Sequence, residues 1–262
     1  MHRAALDALG LSGLGVEKRD CFAAPRRSAR DPGRGRQYTL RVGQRETLIE
    51  LFEDKFIGPQ NAAGASVIGT FRDLDDPDRF VWIRGFANMA ERQAALEVFY
   101  KDPVWLANRA AAAATMVDTD NVLLLRPAAA GQGITAPATQ RADARSVIVA
   151  TIYYLGGVDS QAFSHFFDRT ILPRIAAEGA YPIARLVSEE SPNNYPQLAI
   201  RERERVFVWL GHWTSESAAE SFAAHTPLPS GWRDAAPEAL LPALMREPER
   251  LRLSPTRRSL LR

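Results

Sequence analysis

An α+β protein made of two tandem ferredoxin-like units, each running βαββαβ, is what the sequence predicts. Three observations carry that expectation. The phrase FVWIRGF at residues 80–86 returns as FVWLGHW at residues 207–213. Other matches keep the same order along the chain: Ile57 with Ile171 and Pro59 with Pro173 at an offset of 114, Gly64 with Gly179 and Ala65 with Ala180 one residue later, then Trp82 with Trp209 and Trp105 with Trp232 at 127. Finally, strand-like and helix-like patterns follow one another in the same sequence in both halves. Duplication of one structural unit explains all three.

Residues 1–36 carry seven Arg with scattered Pro and Gly and no sustained periodicity, which predicts a flexible extension. Asp7, Glu17, Asp20 and Asp31 argue against an organelle presequence. The first unit, residues 37–127, opens with YTLRV as a strand. Leu48, Ile49, Phe52 and Phe56 then recur at spacings of three and four, the apolar stripe of a helix facing a sheet. Gly58 and Pro59 end or kink that helix. SVIGTFRD reads as the second strand, DDPD as a turn, RFVWIRGF as the third strand, residues 89–100 as a helix and NVLLLRP as the last strand.

Residues 128–145, rich in Ala, Gly and Pro, predict a linker. The second unit, residues 146–254, repeats the order with SVIVATIYYL, a helix carrying Phe163, Phe166, Phe167 and Ile171, then YPIARLVSEE, RVFVWLGHW, a helix near residues 215–225, and ERLRLSP. A longer hairpin, EESPNNYPQLAIRERER, accounts for the growth of the offset to 127; its RERER reads as a strand-like, salt-bridged and solvated segment. Residues 255–262 are left as a C-terminal tail.

Alternation places Phe80, Trp82, Arg84 and Phe86 on one face of the third strand and Val81 and Ile83 on the other. Both faces are largely apolar, and helices cover only one side of such a sheet. Burying a large apolar side chain is worth roughly 1.5 to 3 kcal/mol, so the second face needs a cover. A second sheet of the same kind supplies one, within the chain or across a dimer.

Composition narrows the function classes. The chain of 262 residues has 46% hydrophobic and 24% charged content and a net charge of +2, with basic and acidic residues interspersed, which gives no support to nucleic-acid binding. No run of about 18 apolar residues predicts a membrane span, and no secretory signal opens the chain, so a cytoplasmic location is expected. Cys21 is the single cysteine, which excludes an intrachain disulfide and a Cys-rich metal site.

The stretch from YTLRVGQRETLIELFEDKF through FRDLDDPDRFVW and FYKDPVW to DNVLLLRP resembles the NIPSNAP family, of the dimeric α/β-barrel superfamily. The likeness covers residues 37–127 specifically and is mainly structural over residues 146–254. It implies a ferredoxin-like fold whose antiparallel sheets pack as a dimeric α/β barrel, and association into a homo-oligomer, a dimer. The family's biochemical activity is undefined. Bacterial relatives often carry a His before the Arg that follows the DPVW tryptophan and an Asn near the Met; here those places read Asn108 and Ala114 or a neighbour of it.

Arg84 is the residue best suited to hold a ligand, because a guanidinium in line with Trp82 and Phe86 can bind a carboxylate or another anion. Tyr100, Trp105 and Arg109 follow and could complete a pocket with Trp82 and Arg84 for a small apolar or anionic compound. The opposing reading makes the aromatics core and pairs Arg84 with an acid. The counterpart of Arg84 is Gly211, so such a pocket belongs to the first half alone. No catalytic constellation, cofactor motif or metal motif is found: the DLDDPD carboxylates read as turn formers, and GLSGLG lacks a preceding strand. His165 aligns with Leu51, and His212 and His225 are isolated. A module that binds a small molecule or protein is the first functional expectation. A cofactor-free small monooxygenase or isomerase acting on an apolar compound, with or without an anionic group, is the second, and haem binding or degradation the third.

Overall fold

The computed structural model describes residues 5–8, 40–117, 121–135, 146–180, 182–202, 204–225 and 236–262. Cys21, Trp232, residues 136–145 of the expected linker and most of residues 1–36 lie outside them. Among the described residues, eight strands form a closed barrel in the order β1-β3-β2-β8-β5-β7-β6-β4. They are β1 (Ala5–Ala8), β2 (Ser66–Asp73), β3 (Phe80–Phe86), β4 (Leu123–Pro127), β5 (Val147–Tyr154), β6 (Pro182–Ser188), β7 (Val206–Trp213) and β8 (Glu249–Pro255). Read by halves, the order is β4-β1-β3-β2 followed by β8-β5-β7-β6. Each half therefore has the fourth-first-third-second arrangement of the ferredoxin-like sheet. All pairings are antiparallel, and the halves join along two short seams, β2 with β8 and β4 with β6.

The helices of the first half are α1 (Arg45–Leu51), α2 (Ile57–Ala62), α3 (Met89–Phe99) and α4 (Pro103–Thr115). Those of the second are α5 (Ser160–Phe166), α6 (Leu172–Ala177), α7 (Glu216–His225) and the short α8 (Leu241–Met245). A π-helical turn joins α1 to α2 at Phe52–Phe56, and another joins α5 to α6 at Phe167–Ile171. Asp102 and Asp159 cap α4 and α5 by accepting from the backbone N–H of Val104 and Ala162.

The two faces of each strand serve different cores. Val81 and Ile83 join Ile148, Ile152, Leu186, Val208, Leu210 and Leu253 in an aliphatic cluster that fills the barrel lumen. The opposite faces pack under helices: Phe80 and Trp82 against Phe52, Phe56 and Trp105, and Phe207 and Trp209 against Phe163 and Phe167. The cover expected for the second sheet face is thus supplied by the other half of the same chain.

Three local expectations are corrected. Tyr38 and Thr39 of YTLRV lie outside the described residues, and the rest of it forms no strand: Leu40 makes an isolated bridge to Met116, and its N–H donates to the carbonyl of Asp78. The place between β3 and β4 is taken by Ala5–Ala8, within the stretch expected to be flexible, because both strand edges carry backbone groups that need partners there. The described residues of RERER are ion-paired as expected but form no strand either. Arg201 and Glu204 are ion-paired across a turn at 3.0 Å, which breaks the alternation.

The third correction concerns the helix offset, which is 115 throughout: the π-helical turns, the left-handed Gly64 and Gly179, and the closing bonds from Ala65 to Gln60 and Ala180 to Ile175 all correspond at that spacing. The strand irregularities between Val67 and Gly69 and between Pro182 and Ala184 agree. His165 therefore answers Glu50, both exposed, and Gln60 answers Ile175.

The C-terminal residues clasp the β2–β8 seam. The N–H groups of Leu260 and Leu261 donate to the Ile68 carbonyl, and Leu261 enters the luminal cluster. Glu53, 3% exposed on the first π-helical turn, accepts from the Thr256 hydroxyl and the Arg258 N–H, each at 2.7 Å, and pairs with Arg257. Glu53→Ala leaves those donors without their acceptor and is expected to cost about 1–3 kcal/mol. Urea denaturation measures the loss, and faster amide exchange at Arg258 and Leu260 locates it at the clasp.

Candidate ligand-binding site

β3 carries Arg84 onto the outer face of the barrel, under the helical layer, where it is 1% exposed. Its guanidinium lies between two rings of its own strand face, 4.9 Å from the centroid of Trp82 and 5.5 Å from that of Phe86. A buried cation between aromatic faces is stabilised by their quadrupoles. From α2, Gln60, itself 1% exposed, accepts a 3.0 Å hydrogen bond from Arg84 Nη1.

The second half has none of this polarity. The positions of Gln60 and Arg84 are held there by Ile175 and Gly211, both buried. Trp209 and Trp213, which answer Trp82 and Phe86, meet each other with centroids 6.2 Å apart. A Cβ on Gly211 would fall 2.8 Å from the Trp209 ring and closer still to Trp213. Where the twin closes an apolar core over a glycine, the first half accommodates a guanidinium and an amide.

The five residues singled out from the sequence divide into three groups. Trp82 and Arg84 are in contact. Tyr100 and Trp105 form an edge-to-face pair at 5.3 Å, and Trp105 reaches Trp82 through Phe56 and Phe52, with centroid distances of 5.3, 6.1 and 4.8 Å along that chain. Arg109 stands exposed on α4. Asn108, at the place of the family's His, donates to the Val104 carbonyl and is half-buried.

Sequence reasoning missed the cover. The β6–β7 hairpin of the second half crosses to the first and lays Tyr195 parallel to Tyr100, with centroids 5.6 Å apart and planes 15° apart. Leu198 packs with Ala65, Phe86, Ala95 and Leu96. Arg92, fully buried on α3, donates to the amide oxygens of Asn193 at 3.2 Å and Asn194 at 2.7 Å, while Asn194 Nδ2 donates to the Met89 carbonyl at 2.5 Å. The length of the hairpin was visible, but its destination was not. Burial and Glu97 push the Tyr195 phenol above its ordinary pKa, and the Arg84 cation pulls it the other way.

Other chemistry-bearing groups lie apart. The DLDDPD carboxylates organise their own turn: Asp73 and Asp76 accept from the N–H groups of Asp75 and Asp78, and both pair with Arg79. Burial raises the Asp73 carboxyl despite that pairing. At the barrel end, the Tyr154 hydroxyl donates to Glu249 at 2.5 Å, and Arg246 stacks on its ring. Desolvation and the neighbouring carboxylate push this phenol up to about 12. A cleft of about 260 Å³ opens between β4 and the hairpin, lined by Leu123, Ser188, Glu189, Arg201 and Glu204. His165 is exposed and His212 half-buried, and among the described residues no group of three His, Cys, Asp or Glu could hold a metal. No helix among them is long and apolar enough to cross a membrane.

Residues 35–131 match the family model described as NIPSNAP, so over that stretch the chain is similar to that family. No curated protein matches the chain. Among solved structures, a protein named as a "putative monooxygenase" from Fusobacterium nucleatum aligns with a TM-score of 0.53 and 8% identity, over 97% of this chain and 93% of that one. A second protein so named, from Lactobacillus acidophilus, aligns with a TM-score of 0.48 and 13% identity over the same shares. DypB of Rhodococcus jostii, solved in complex with heme, aligns with a TM-score of 0.41 and 12% identity over 85% of this chain and 93% of that one. At these identities the likeness is one of fold, a tandem α/β barrel of ferredoxin-like halves.

Gly211→Ala tests how closely the second half is packed where Arg84 sits in the first. Overpacking against two indoles is expected to cost about 1–3 kcal/mol, read as a fall in the urea midpoint.

Proposed function

We propose that the chain is a binding module for a small apolar compound with an anionic group, held at Arg84 by charge and by the faces of Trp82 and Phe86, with Tyr100 and Trp105 continuing the apolar wall. The observation that carries this reading is the asymmetry between the halves. A guanidinium and an amide occupy places that Gly211 and Ile175 fill in the same fold without polar cost. Burying a charge is expensive, and a protein keeps such a group where recognition needs it. The asymmetry has this meaning because the halves are read as copies of one duplicated unit. Arg109, on the outer surface of α4, acts as an approach charge in this reading and not as a wall. Residues 37–127 form the binding unit and residues 146–254 its structural complement. The module works in the cytoplasm, and a homodimer would form through the outer helical surface, since the barrel closes within one chain.

A cofactor-free monooxygenase or isomerase is the second reading. The Fusobacterium nucleatum likeness suggests it, and the site favours it through a buried cation able to stabilise an oxyanion beside an apolar wall. Fold alone does not choose between binding and turnover.

Two measurements test the binding reading. Protein purified from its host and then denatured should release a small acid in stoichiometric amount, identified by mass spectrometry, and Arg84→Met protein should release none. Arg84→Met should also stay folded in a urea titration, so that the missing acid reports lost binding and not unfolding. A loss of about 3–5 kcal/mol would instead make Arg84 one half of a structural ion pair and sink the reading.

A further inference from the structure

We infer that the second half has a binding site of its own, a cleft of about 380 Å³ between the end of β7, the end of α6 and α7, and that it takes a small alkylammonium cation. Glu178, Gly179, His212, Trp213 and Phe222 line it. The inference is independent of Arg84 and of the binding reading above.

The cleft exists because the halves differ at one place in their common fold. Helices α3 and α7 correspond at an offset of 127, since Asn88 and Ser215 cap them by accepting from the N–H groups of Glu91 and Ala218. Trp213 then answers Phe86, Phe222 answers Ala95 and Ala219 answers Arg92. In the first half this place is filled by Leu198, which clusters with Phe86 and Ala95 and belongs to the hairpin that Arg92 holds through Asn193 and Asn194. In the second half the buried Ala219 offers no such donor, and the turn of residues 74–79, which corresponds to that hairpin, instead sends Asp75 to Arg252 on β8. Trp213 does not plug the gap itself. Its indole lies back over the strand, in the space that a side chain on Gly211 would need. Two rings therefore frame an opening where the first half has a packed core.

The lining selects the charge of the ligand. Trp213 and Phe222 stand with centroids 5.1 Å apart and planes inclined by 45°, and Phe222 is only half-buried. Glu178 brings an exposed carboxylate to the wall where the first half has Ala63. It follows the last turn of the helical run from Ser160 to Ala177, whose terminal carbonyls carry partial negative charge. Among the described residues that line the cleft, His212 is the only other titratable group, and Arg174, one turn back on α6, takes no part in the wall. Ring quadrupoles, a carboxylate and a helix C-terminus all favour a positive charge, and none of them favours an anion. A volume near the lower end of small-molecule sites suits a compact cation.

The test is a calorimetric titration of the full-length protein with choline, alongside dimethylbutanol, its uncharged carbon isostere. One saturable site that prefers choline by at least about tenfold is expected, and the indole N–H resonance of Trp213 should move on binding. Phe222→Leu keeps an apolar filler and removes the ring face, so it should weaken choline about fivefold or more and leave the isostere nearly unaffected. Glu178→Gln, a conservative change at an exposed position, should weaken choline about two- to fivefold, and it decides the matter if Phe222→Leu folds poorly by near-UV circular dichroism. Equal binding of choline and its isostere would overturn the assignment of a cation. Choline binding that survives both substitutions, or no saturable binding to the native chain, would overturn the site.

Discussion

Strands β2 to β8 of this protein each have an apolar inner face that only the other half of the chain can shield. A four-stranded sheet has two sides and its own helices cover one of them, so each ferredoxin-like half by itself would leave residues such as Val81, Ile83, Val208 and Leu210 in water. Joining the sheets edge to edge through two short seams turns both exposed faces inward and removes the free edges as well. The buried clasp at Glu53, where the C-terminal residues return to β2, reinforces the β2–β8 seam.

With the lumen committed to packing, divergence is left to the outer faces and the hairpins. The aromatic frame is common to both halves: Phe52 lies 4.8 Å from Trp82, and Phe167 lies 6.1 Å from Trp209. Inside that frame the first half carries Gln60 and Arg84 where the second carries Ile175 and Gly211. The hairpins also cross between halves. That of the first half sends Asp75 to Arg252 on β8, while that of the second docks Asn193, Asn194, Tyr195 and Leu198 on α3. The segment that packs on α3 therefore comes from a part of the chain more than 100 residues away from it.

Much of the fold could be read along the chain because it depends on local periodicity. ERLRLSP, RVFVWLGHW and SVIVATIYYL form strands where their alternation indicates, and Leu48, Ile49, Phe52 and Phe56 lie on one buried helical face. Misreadings came where a long-range partner overrode the local pattern. YTLRV has strand propensity, yet its end is held in a turn before α1 by Asp78 and Thr115. RERER alternates in sign, yet an i,i+3 ion pair within it favours a turn. The one-residue error in the helix offset arose because matching prolines draws the alignment to 114, whereas backbone geometry, from the π-helical turns to Gly64 and Gly179, follows 115. That single residue hides the correspondence of Gln60 with Ile175, and with it half of the polar pair.

The amino-acid sequence by itself determined the repeated βαββαβ order apart from its first strand, the aromatic frame on the outer face of the third strand, and the presence of Arg84 opposite Gly211. These follow from spacing, which is local and survives without knowledge of what packs against what. Only the tertiary structure decided that the barrel closes within one chain, that Gln60 receives the Arg84 hydrogen bond, and that Tyr195 of the second half stacks on Tyr100 of the first. Each of those depends on which distant segments meet, and that is set by the burial of both sheet faces at once, a condition of the whole molecule that no single stretch of residues encodes.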